Sequence, residues 1–359
     1  MKLKNFNASL LIIGLFIGTI SIPTLNAQVQ DPRQVAEELS REFIPAEILS
    51  IIKSGLETRT PNTAIPFDVF KFLYLPAQQN MYGIFFFKCK NSDLGFKGIN
   101  QPAADEEKEV SSFESTPTQL ISRNNIYLYF KQLNGDYEKQ IYVPFNQKAD
   151  GITYEPEAEP YYSIGYPLPP GDYVLAMAIA SSDQKEKVGT QYFEFSLPNA
   201  SSFTEIDITP TFFVNQMNQM SAVEMQTAVH KGFFTYGLYQ MEPNIEQIFS
   251  PGDNLDIFFY IFGCQTNAEG LCDIEINYSI SLGEEMAIQY ATTPYEHPIV
   301  SQPLPMKKTV KITTTDEEGN EVERTETRNL EPGTYSFTME IKDNLTGKSV
   351  TKSVKVEVR

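Results

Sequence analysis

The sequence predicts an all-β protein made of two β-sandwich domains in tandem, preceded by a signal peptide and a short helical segment. Many short runs alternate between apolar and polar residues, and Gly, Pro and Asn separate them. One motif that leads into such a run occurs twice. Period-2 alternation places apolar side chains on one face of a strand, and many short strands separated by turn residues are typical of sandwiches.

The first 27 residues have the layout of a signal peptide. Lys2 and Lys4 precede an apolar run over 10–22, and Ala27 supplies the small residue that a signal peptidase needs beside the cut. The run is too short to cross a bilayer as a helix, which takes roughly 20 residues. We expect cleavage after Ala27 and export to the periplasm, the cell surface or the medium. An uncleaved N-terminal anchor is the alternative, because Leu25 is bulky for its position.

Composition limits the partners and the number of domains. The chain has 28 Lys and Arg against 46 Asp and Glu, with a formal net charge of -18. Such a surface repels phosphate backbones, and no basic stripe with interleaved aromatics is present, so nucleic acid is not expected as a partner. The 359 residues include 25 Phe and 19 Tyr. These aromatic residues are ample for packed cores. The chain is longer than a single core usually supports, so two domains are expected.

An internal repeat supports the count of two. Leu168-Pro-Pro-Gly-Asp-Tyr173 recurs as Leu330-Glu-Pro-Gly-Thr-Tyr335, and each copy continues into an alternating run and then a second one. Each domain is therefore expected to end in a β-hairpin. The Pro-Gly pairs predict a sharp turn into the first strand, because proline presets its φ and Gly171 and Gly333 accept a positive φ. The apolar positions after the two tyrosines match one for one: Leu175, Met177 and Ile179 with Phe337, Met339 and Ile341.

This motif resembles the tyrosine corner of fibronectin type III and related immunoglobulin-like β-sandwich modules. The resemblance implies that both domains are immunoglobulin-like and that Tyr173 and Tyr335 each hydrogen-bond a backbone group a few residues upstream. It covers roughly thirty residues at the end of each domain. More loosely, the layout is similar to the β-rich C-terminal part of secreted acidobacterial proteins of the GWxTD type. This chain has no Trp, so the motif that names those proteins is absent.

Turn residues indicate the domain limits. We expect a helical segment over 28–62, a first sandwich over 63–200 and a second over 201–359, with the boundary in the turn-rich stretch 197–202. The stretch 214–230, rich in Met and Gln, is either a helix or a mobile loop. Further strands are expected over 67–75, 81–90, 126–131 and 138–143 in the first domain, and over 205–214, 233–240, 255–262, 272–282, 307–315 and 321–327 in the second.

Three apolar patterns predict that parts of the sheets are covered. The runs 84–87 and 257–262 are apolar on both strand faces, which is typical of strands that are central or covered on both sides. In the first repeat the outward strand positions carry Val174 and alanines, where the second repeat carries polar residues. The amphipathic segment 32–57, predicted to form two short helices separated by Pro45, is the best candidate for this cover. Packing on the other domain or on a partner is the alternative.

The three cysteines are open to two interpretations. Cys264 and Cys272 flank a turn-like loop between two predicted strands, and a disulfide across this hairpin is sterically feasible and suits an oxidising compartment. The alternative is three buried, reduced cysteines. Cys89 lies in an apolar strand and is expected to pack rather than react.

Little in the sequence predicts catalysis. His230 and His297 are the only histidines, and no nucleophile elbow, metalloprotease helix or phosphate loop is present. Acidic runs at 105–107, 284–285 and 316–318 are typical of solvated loops. No loop has the ligand spacing of an EF-hand calcium site. No catalytic residue, metal or other cofactor is therefore expected.

Three functions remain, and the first is favoured. It is an exported, non-catalytic module that binds an envelope or extracellular protein through sheet edges, loops or the N-terminal helices, or that plays a structural part in the envelope. The second is a glycan-binding module that uses Tyr161, Tyr162 and Tyr166, although sugar platforms favour Trp. The third is a secreted hydrolase with paired carboxylates. A sandwich fold alone does not decide among them.

Overall fold

A computed structural model describes residues 43–99, 119–182, 187–224, 226–315 and 321–359. The expected signal peptide over 1–27 and the first of the two expected helices lie outside these ranges. Within them the protein is all-β apart from one α-helix, α1 (Ala46–Leu56), and two short 3-10 turns. No helix in this part of the chain is both long and apolar enough to span a membrane.

The β-strands follow one another closely along the chain. In order they are β1 Asp68–Ala77, β2 Asn80–Lys88, β3 Lys97–Gly98, β4 Gln119–Gln132, β5 Glu138–Asp150, β6 Tyr161–Leu168, β7 Gly171–Ser181, β8 Val188–Leu197, β9 Asp207–Ile208, β10 Phe212–Gln219, β11 Val229–Lys231, β12 Phe234–Tyr236, β13 Tyr239–Pro243, β14 Ile248–Phe249, β15 Asn254–Phe262, β16 Ile274–Leu282, β17 Glu285–Gln289, β18 Thr293–Tyr295, β19 Ile299–Pro305, β20 Lys307–Thr315, β21 Glu321–Asn329, β22 Gly333–Asp343 and β23 Ser349–Val358.

These strands form four sheets and one separate ribbon. Sheet A consists of β3, β4, β5, β7 and β8, and sheet B has the order β1-β2-β6-β11. Sheet C has the order β12-β13-β10-β15-β19 with β9 also on β15, and sheet D has the order β14-β23-β22-β16-β17 with β18 also on β16. Paired strands are antiparallel except β14 and β23. The ribbon of β20 and β21 is called the arm below.

Sheets A and B enclose a core rich in aromatic rings. Phe85 of β2 meets Phe130 of β4 and Phe195 of β8, with ring centroids 5.7 and 4.9 Å apart. Sheets C and D enclose a second core, where Tyr278 of β16 stacks on Phe337 of β22 at 6.1 Å. Such ring pairs add about 0.5–1.5 kcal/mol beyond the burial of their area.

The two sheet pairs pack against each other through the outer faces of sheets B and C. Ile84 and Phe86 of β2 lie in one buried cluster with Phe234 of β12 and Phe258 of β15. Phe85 and Phe87 of β2 point the other way into the first core, and Ile257 and Phe259 of β15 point into the second. This confirms the expectation that the two doubly apolar runs are covered on both faces, and each run covers the other.

Helix α1 covers the outer face of sheet A. Pro45 is its N-cap residue, and Ile48 and Ile52 on its apolar face pack on Tyr129 and Ala178. Three further contacts hold the helix in place: Tyr192 Oη donates to the Ile52 carbonyl at 2.8 Å, the Ile44 amide donates to Gln140, and Lys53 lies over the Tyr129 ring. The expected cover on the first repeat is therefore the second predicted helix.

The layers are joined by a strand that crosses the expected domain boundary. β8, which ends at Leu197, is the last strand before this boundary. β11 comes after the boundary and follows β10 of sheet C in sequence, but it pairs with β6 of sheet B, where His230 lies opposite Ser163. Two side chains reinforce the crossing: Tyr161 Oη donates to the Gly232 carbonyl and Ser163 Oγ to the Phe233 carbonyl, each at 2.6 Å.

The strands differ from expectation at several places, and β17, β18 and β19 are among those that were not expected. Neither alternative for 214–230 describes its first part, since β10 continues to Gln219. The expected strand 205–214 is two strands because Pro210 between them has no N–H to donate. The expected strand 233–240 is broken by Gly237, whose φ is 58°. β6 was not expected, because its Gly and Pro weaken the strand pattern.

Candidate interaction surface

The arm stands apart from the four sheets. Its strands pair residue for residue over nine positions, from Lys307 opposite Asn329 to Thr315 opposite Glu321. Nine residues at about 3.4 Å each make a ribbon about 30 Å long. Wherever exposure is described in the arm, the side chain is exposed or half-exposed. The arm therefore contributes little to the protein's own cores.

The base of the arm is anchored firmly. Met306 and Leu330 flank its two strands, and both side chains are buried in the core between sheets C and D. The Leu330 amide donates to the Met306 carbonyl at 3.3 Å, which continues the ladder of the arm into the body. The arm is thus a projection with a fixed root.

The charge of β20 is opposite in sign to the net charge of the whole chain. β20 carries Lys307, Lys308 and Lys311 and no acidic residue, whereas β21 carries three Glu and two Arg. The cross-strand pair of Lys311 with Glu323 is loose, at 3.8 Å with both side chains exposed. Exposed pairs of this kind contribute little, so the lysines remain available to a partner. The arm presents a basic edge on a protein with a net charge of -18.

One face of the arm is partly apolar. Val310 and Ile312 are half-exposed on this face, opposite Glu326 and Arg324 on β21. The chain of a long charged residue can shield an apolar neighbour while its head stays in water. β-branched residues such as these, with the threonines of β20, favour the extended conformation.

The outer edges of the arm are unpaired. Within the described ranges neither β20 nor β21 forms a ladder with any strand but the other. β17 passes close to β20 without pairing with it. An unpaired edge offers a row of backbone N–H and C=O groups to which another strand can add.

The two predicted tyrosines make equivalent hydrogen bonds. Tyr173 Oη donates to the Pro169 carbonyl at 2.9 Å, and Tyr335 Oη donates to the Glu331 carbonyl at 2.8 Å. Both acceptors lie four residues upstream, and both rings are buried. Burial raises the pKa of Tyr173 to about 12. Each hydroxyl thus ties the turn before the strand to the strand itself.

The two predicted glycines are not equivalent, which corrects an expectation. Gly171 has a φ of 150°, and a Cβ there would lie 2.3 Å from the side-chain amide of Gln132. Gly333 has no positive φ in the left-handed range, and the nearest atom to its Cβ would be in the Tyr335 ring at 3.5 Å. The second turn therefore reaches its strand through ordinary backbone geometry.

Cys264 and Cys272 lie side by side but are not bonded. Their Sγ atoms are 3.2 Å apart, and Cys89 is also a free thiol. Cys264 lines a cavity of about 410 Å³ between the end of β15 and the linker before β9, together with Phe203, Phe262 and Lys348. No Asp, Glu or His among the described residues lines this cavity.

Within the described ranges, His230 takes part in contacts between neighbouring strands. His230 contacts Glu224 at 2.9 Å, Glu224 also accepts from Thr235, and the imidazole packs on Phe233. These contacts hold β11 beside β12. Burial raises the pKa of Asp256, yet no group of three or more His, Cys, Asp or Glu within the described ranges is arranged to hold a metal ion. Of the acidic runs, 105–107 and 316–318 lie outside the described residues.

The three candidate tyrosines for a sugar platform are separated by the fold. All lie on β6, but Tyr162 is fully buried in the core between sheets A and B. Tyr161 faces the cluster between sheets B and C, and Tyr166 stacks on Phe130 at 5.8 Å. They form no shared exposed surface.

Comparison with models of known protein families and with curated proteins finds no match for this chain. Its function has to be argued from the described residues. The strands of the arm were expected from sequence, but their isolation was not. The composition of the two strands could have indicated this isolation, because neither strand has the apolar alternation of the core strands.

Proposed function

We propose that this protein is an exported, non-catalytic module of the cell envelope that binds a protein partner, and that the arm is its binding element. The proposal rests on one observation: two nine-residue strands, Lys307–Thr315 and Glu321–Asn329, project from the body, and their outer edges pair with no other strand in the described part of the chain.

A projecting ribbon of this kind gains most when a further strand joins it. An isolated two-stranded hairpin is at best marginally stable in water, and three strands are needed for independent stability. The root at Met306 and Leu330 holds the first pairs in register, so an added strand would extend an existing ladder. Strand addition also uses backbone hydrogen bonds, which place few demands on the partner's sequence.

The charge of β20 indicates the chemistry of the partner. Lys307, Lys308 and Lys311 favour an extended segment rich in Asp or Glu and disfavour pairing of two β20 edges from two copies, because like charges would face each other. Electrostatic attraction of this kind sets the rate and specificity of association more than its strength. We infer an acidic, extended segment of another protein as the occupant of the β20 edge.

The body serves as the scaffold in this proposal. We propose that the two sheet pairs are tandem immunoglobulin-like sandwiches, because each ends in a hairpin entered through a tyrosine that bonds the carbonyl four residues upstream. The N-terminal helix is not proposed as the docking element. Its apolar residues Ile48 and Ile52 are buried against sheet A.

The test compares the mature chain, residues 28–359, with a variant that lacks the arm. The Leu330–Met306 hydrogen bond has the geometry of a closing turn, so Asn-Gly can replace residues 307–329 and leave both core residues in place. Each protein is immobilised and exposed to an envelope extract of the source cells. We expect the full chain to retain a protein that the armless variant, equally stable, does not retain. Cross-links from β20 should fall in an acidic extended segment of it.

A matched pair of charge reversals tests whether retention of the partner depends on the lysines of the arm or on the net charge of the protein. Lys307→Glu with Lys311→Glu alters the exposed edge of β20, whereas Lys342→Glu with Lys355→Glu makes the same change on sheet D. The first pair should weaken retention at least tenfold, and added salt should have a similar effect. Equal retention by the armless chain, or an arm-dependent dimer of this chain with no other partner, would refute the proposal.

A further inference from the structure

We propose that Cys264 and Cys272 are oxidised to a disulfide that joins sheets C and D. Cys264 follows the end of β15 in sheet C, and Cys272 precedes the start of β16 in sheet D. The 3.2 Å between their Sγ atoms is about 1 Å longer than a disulfide bond. Closing the bond would fasten together the two layers that enclose the second core.

The loop between the two cysteines is already folded in the form that a bridge requires. The Asn267 side chain accepts from the Glu269 and Leu271 amides at 2.9 and 3.0 Å, and the Asn267 amide donates to the Leu271 carbonyl at 2.8 Å. These bonds close the hairpin without any covalent link. For the bond to form, the two sulfur atoms have to approach by about 1 Å.

Contacts with the rest of the body hold the two cysteine backbones as well. The Cys272 amide donates to the Glu296 carbonyl at 2.8 Å. The Gln265 amide donates to Asp343 Oδ2 at 3.1 Å, and that carboxylate also accepts from Thr346. Asp343 is fully buried, so this anchor is fixed. Both ends of the proposed bridge are thus positioned before oxidation.

The reaction balances as an exchange with another disulfide. One thiolate of the pair attacks a sulfur of the oxidant, forms a mixed disulfide and releases one thiol of the oxidant. The second cysteine loses its proton and displaces the other thiol, so two protons and two electrons leave the pair and two thiols are formed. The hydrogen bond from Cys264 lowers the pKa of Cys272, which favours Cys272 as the attacking thiolate, and the cavity lined by Cys264 adjoins the pair.

The third cysteine is kept out of this reaction by its surroundings. Cys89 lies in the core between sheets A and B, and its Sγ donates to the Pro66 carbonyl at 3.2 Å. Burial raises its pKa to about 12, so the thiolate is scarce at neutral pH. The structure therefore allows one pairing among the three cysteines.

The experiment treats the reduced, full-length mature chain with oxidised glutathione and then alkylates it after unfolding. We expect intact mass spectrometry to show one alkylated cysteine, and peptide mapping to place it at Cys89 and to recover Cys264 linked to Cys272. The oxidised form should melt about 4 °C above the reduced form. Dithiothreitol should abolish this difference.

Single variants distinguish a proximity-driven bond from random oxidation. Cys89→Ser should leave the linkage and the melting shift unchanged. Cys264→Ser and Cys272→Ser should each show no melting shift and no bridge among the remaining cysteines. Three alkylated cysteines after oxidation of the native chain, or any bridge that includes Cys89, would overturn the inference. The outcome does not depend on the arm, since no partner is present.

Discussion

At the scale of single residues, two copies of one motif reach the same hydrogen bond by different routes. Tyr173 and Tyr335 each donate to the carbonyl four residues upstream, a contact of the kind that the resemblance to a tyrosine corner implies. The preceding glycines differ, because Gly171 has a φ of 150° and Gly333 has no such strain. A motif can therefore specify a side-chain contact while leaving its backbone approach to the surrounding loop.

This difference predicts unequal effects of one substitution. Gly171→Ala should lower the free energy of unfolding by about 1–3 kcal/mol, because the new Cβ meets Gln132 and the backbone conformation disfavours any side chain. Gly333→Ala should change it by less than about 0.5 kcal/mol. Urea unfolding of the two variants beside the parent measures both values. Equal losses would mean that the two turns are alike after all.

Residue types alone did not predict which tyrosines are buried without a partner. Tyr162 is fully buried, and its hydroxyl has no hydrogen-bond partner among the described residues. Its neighbour Tyr161 bonds the Gly232 carbonyl. Both lie at the start of β6, and only the packing of three sheets around β6 separates their environments.

At the scale of elements, α1 shows how a short helix gains stability from packing. An isolated helix of 11 residues is marginal in water, so its apolar stripe has to find a surface. Val174 and the alanines of β7 leave room for that stripe, and the helix lies on them. Sequence predicted both partners separately, namely an amphipathic segment and a strand with small apolar residues on its outer face.

The packing of α1 predicts that alanine substitution lowers the free energy of unfolding strongly at one position of the helix and only slightly at a nearby exposed position. Ile52 is fully buried between the helix and sheet A, so Ile52→Ala should lower the free energy of unfolding by about 2–5 kcal/mol. Ser50→Ala, on the exposed side, should have little effect. Thermal unfolding followed by circular dichroism measures both. A neutral Ile52→Ala would show that the helix is not held on the sheet.

Some elements were predicted to the residue and others were missed, for physical reasons. β20 has the expected bounds because it is rich in β-branched residues, which favour the extended conformation. β6 was missed because it contains Gly165 and Pro167. Gly165 pairs with Ile84, and a Cβ there would overlap the Tyr82 ring, so a close approach of β2 explains the glycine.

At the scale of the whole molecule, the stack of layers places several tyrosines where sheets B and C meet. Tyr82, Tyr161 and Tyr236 pack against the cluster between these sheets. Tyr236 Oη donates to the Pro76 carbonyl at 2.6 Å, which joins β12 to β1. Sequence predicted that β2 and β15 are each covered on two sides. It contained nothing to show that they cover each other, because facing strands are far apart in the chain.

The burial of these tyrosines predicts that the protein loses stability in alkaline solution. Burial raises the pKa of Tyr82, Tyr161 and Tyr236 to about 12, whereas a tyrosine in the unfolded chain ionises near 10. The unfolded state therefore releases these protons first, and stability is fully present below about pH 10 and declines toward pH 12.

Urea unfolding across this pH window, with tyrosinate absorbance recorded in parallel, provides the measurement. The unfolding midpoint should fall while the native absorbance stays low, and Tyr236→Phe should make the fall shallower. A midpoint that stays constant through the window would contradict the burial of these hydroxyls.

The crossing of β11 into sheet B has a consequence for how this protein can be divided or recombined. The repeated motif marks two halves of the sequence, yet a gene cut near residue 200 would remove the edge strand that contains His230 from sheet B. It would also expose Ile84 and Phe86 to solvent on one fragment and Phe258 on the other. The halves are thus not interchangeable modules, and any circular permutation or fusion has to keep both of them in one chain.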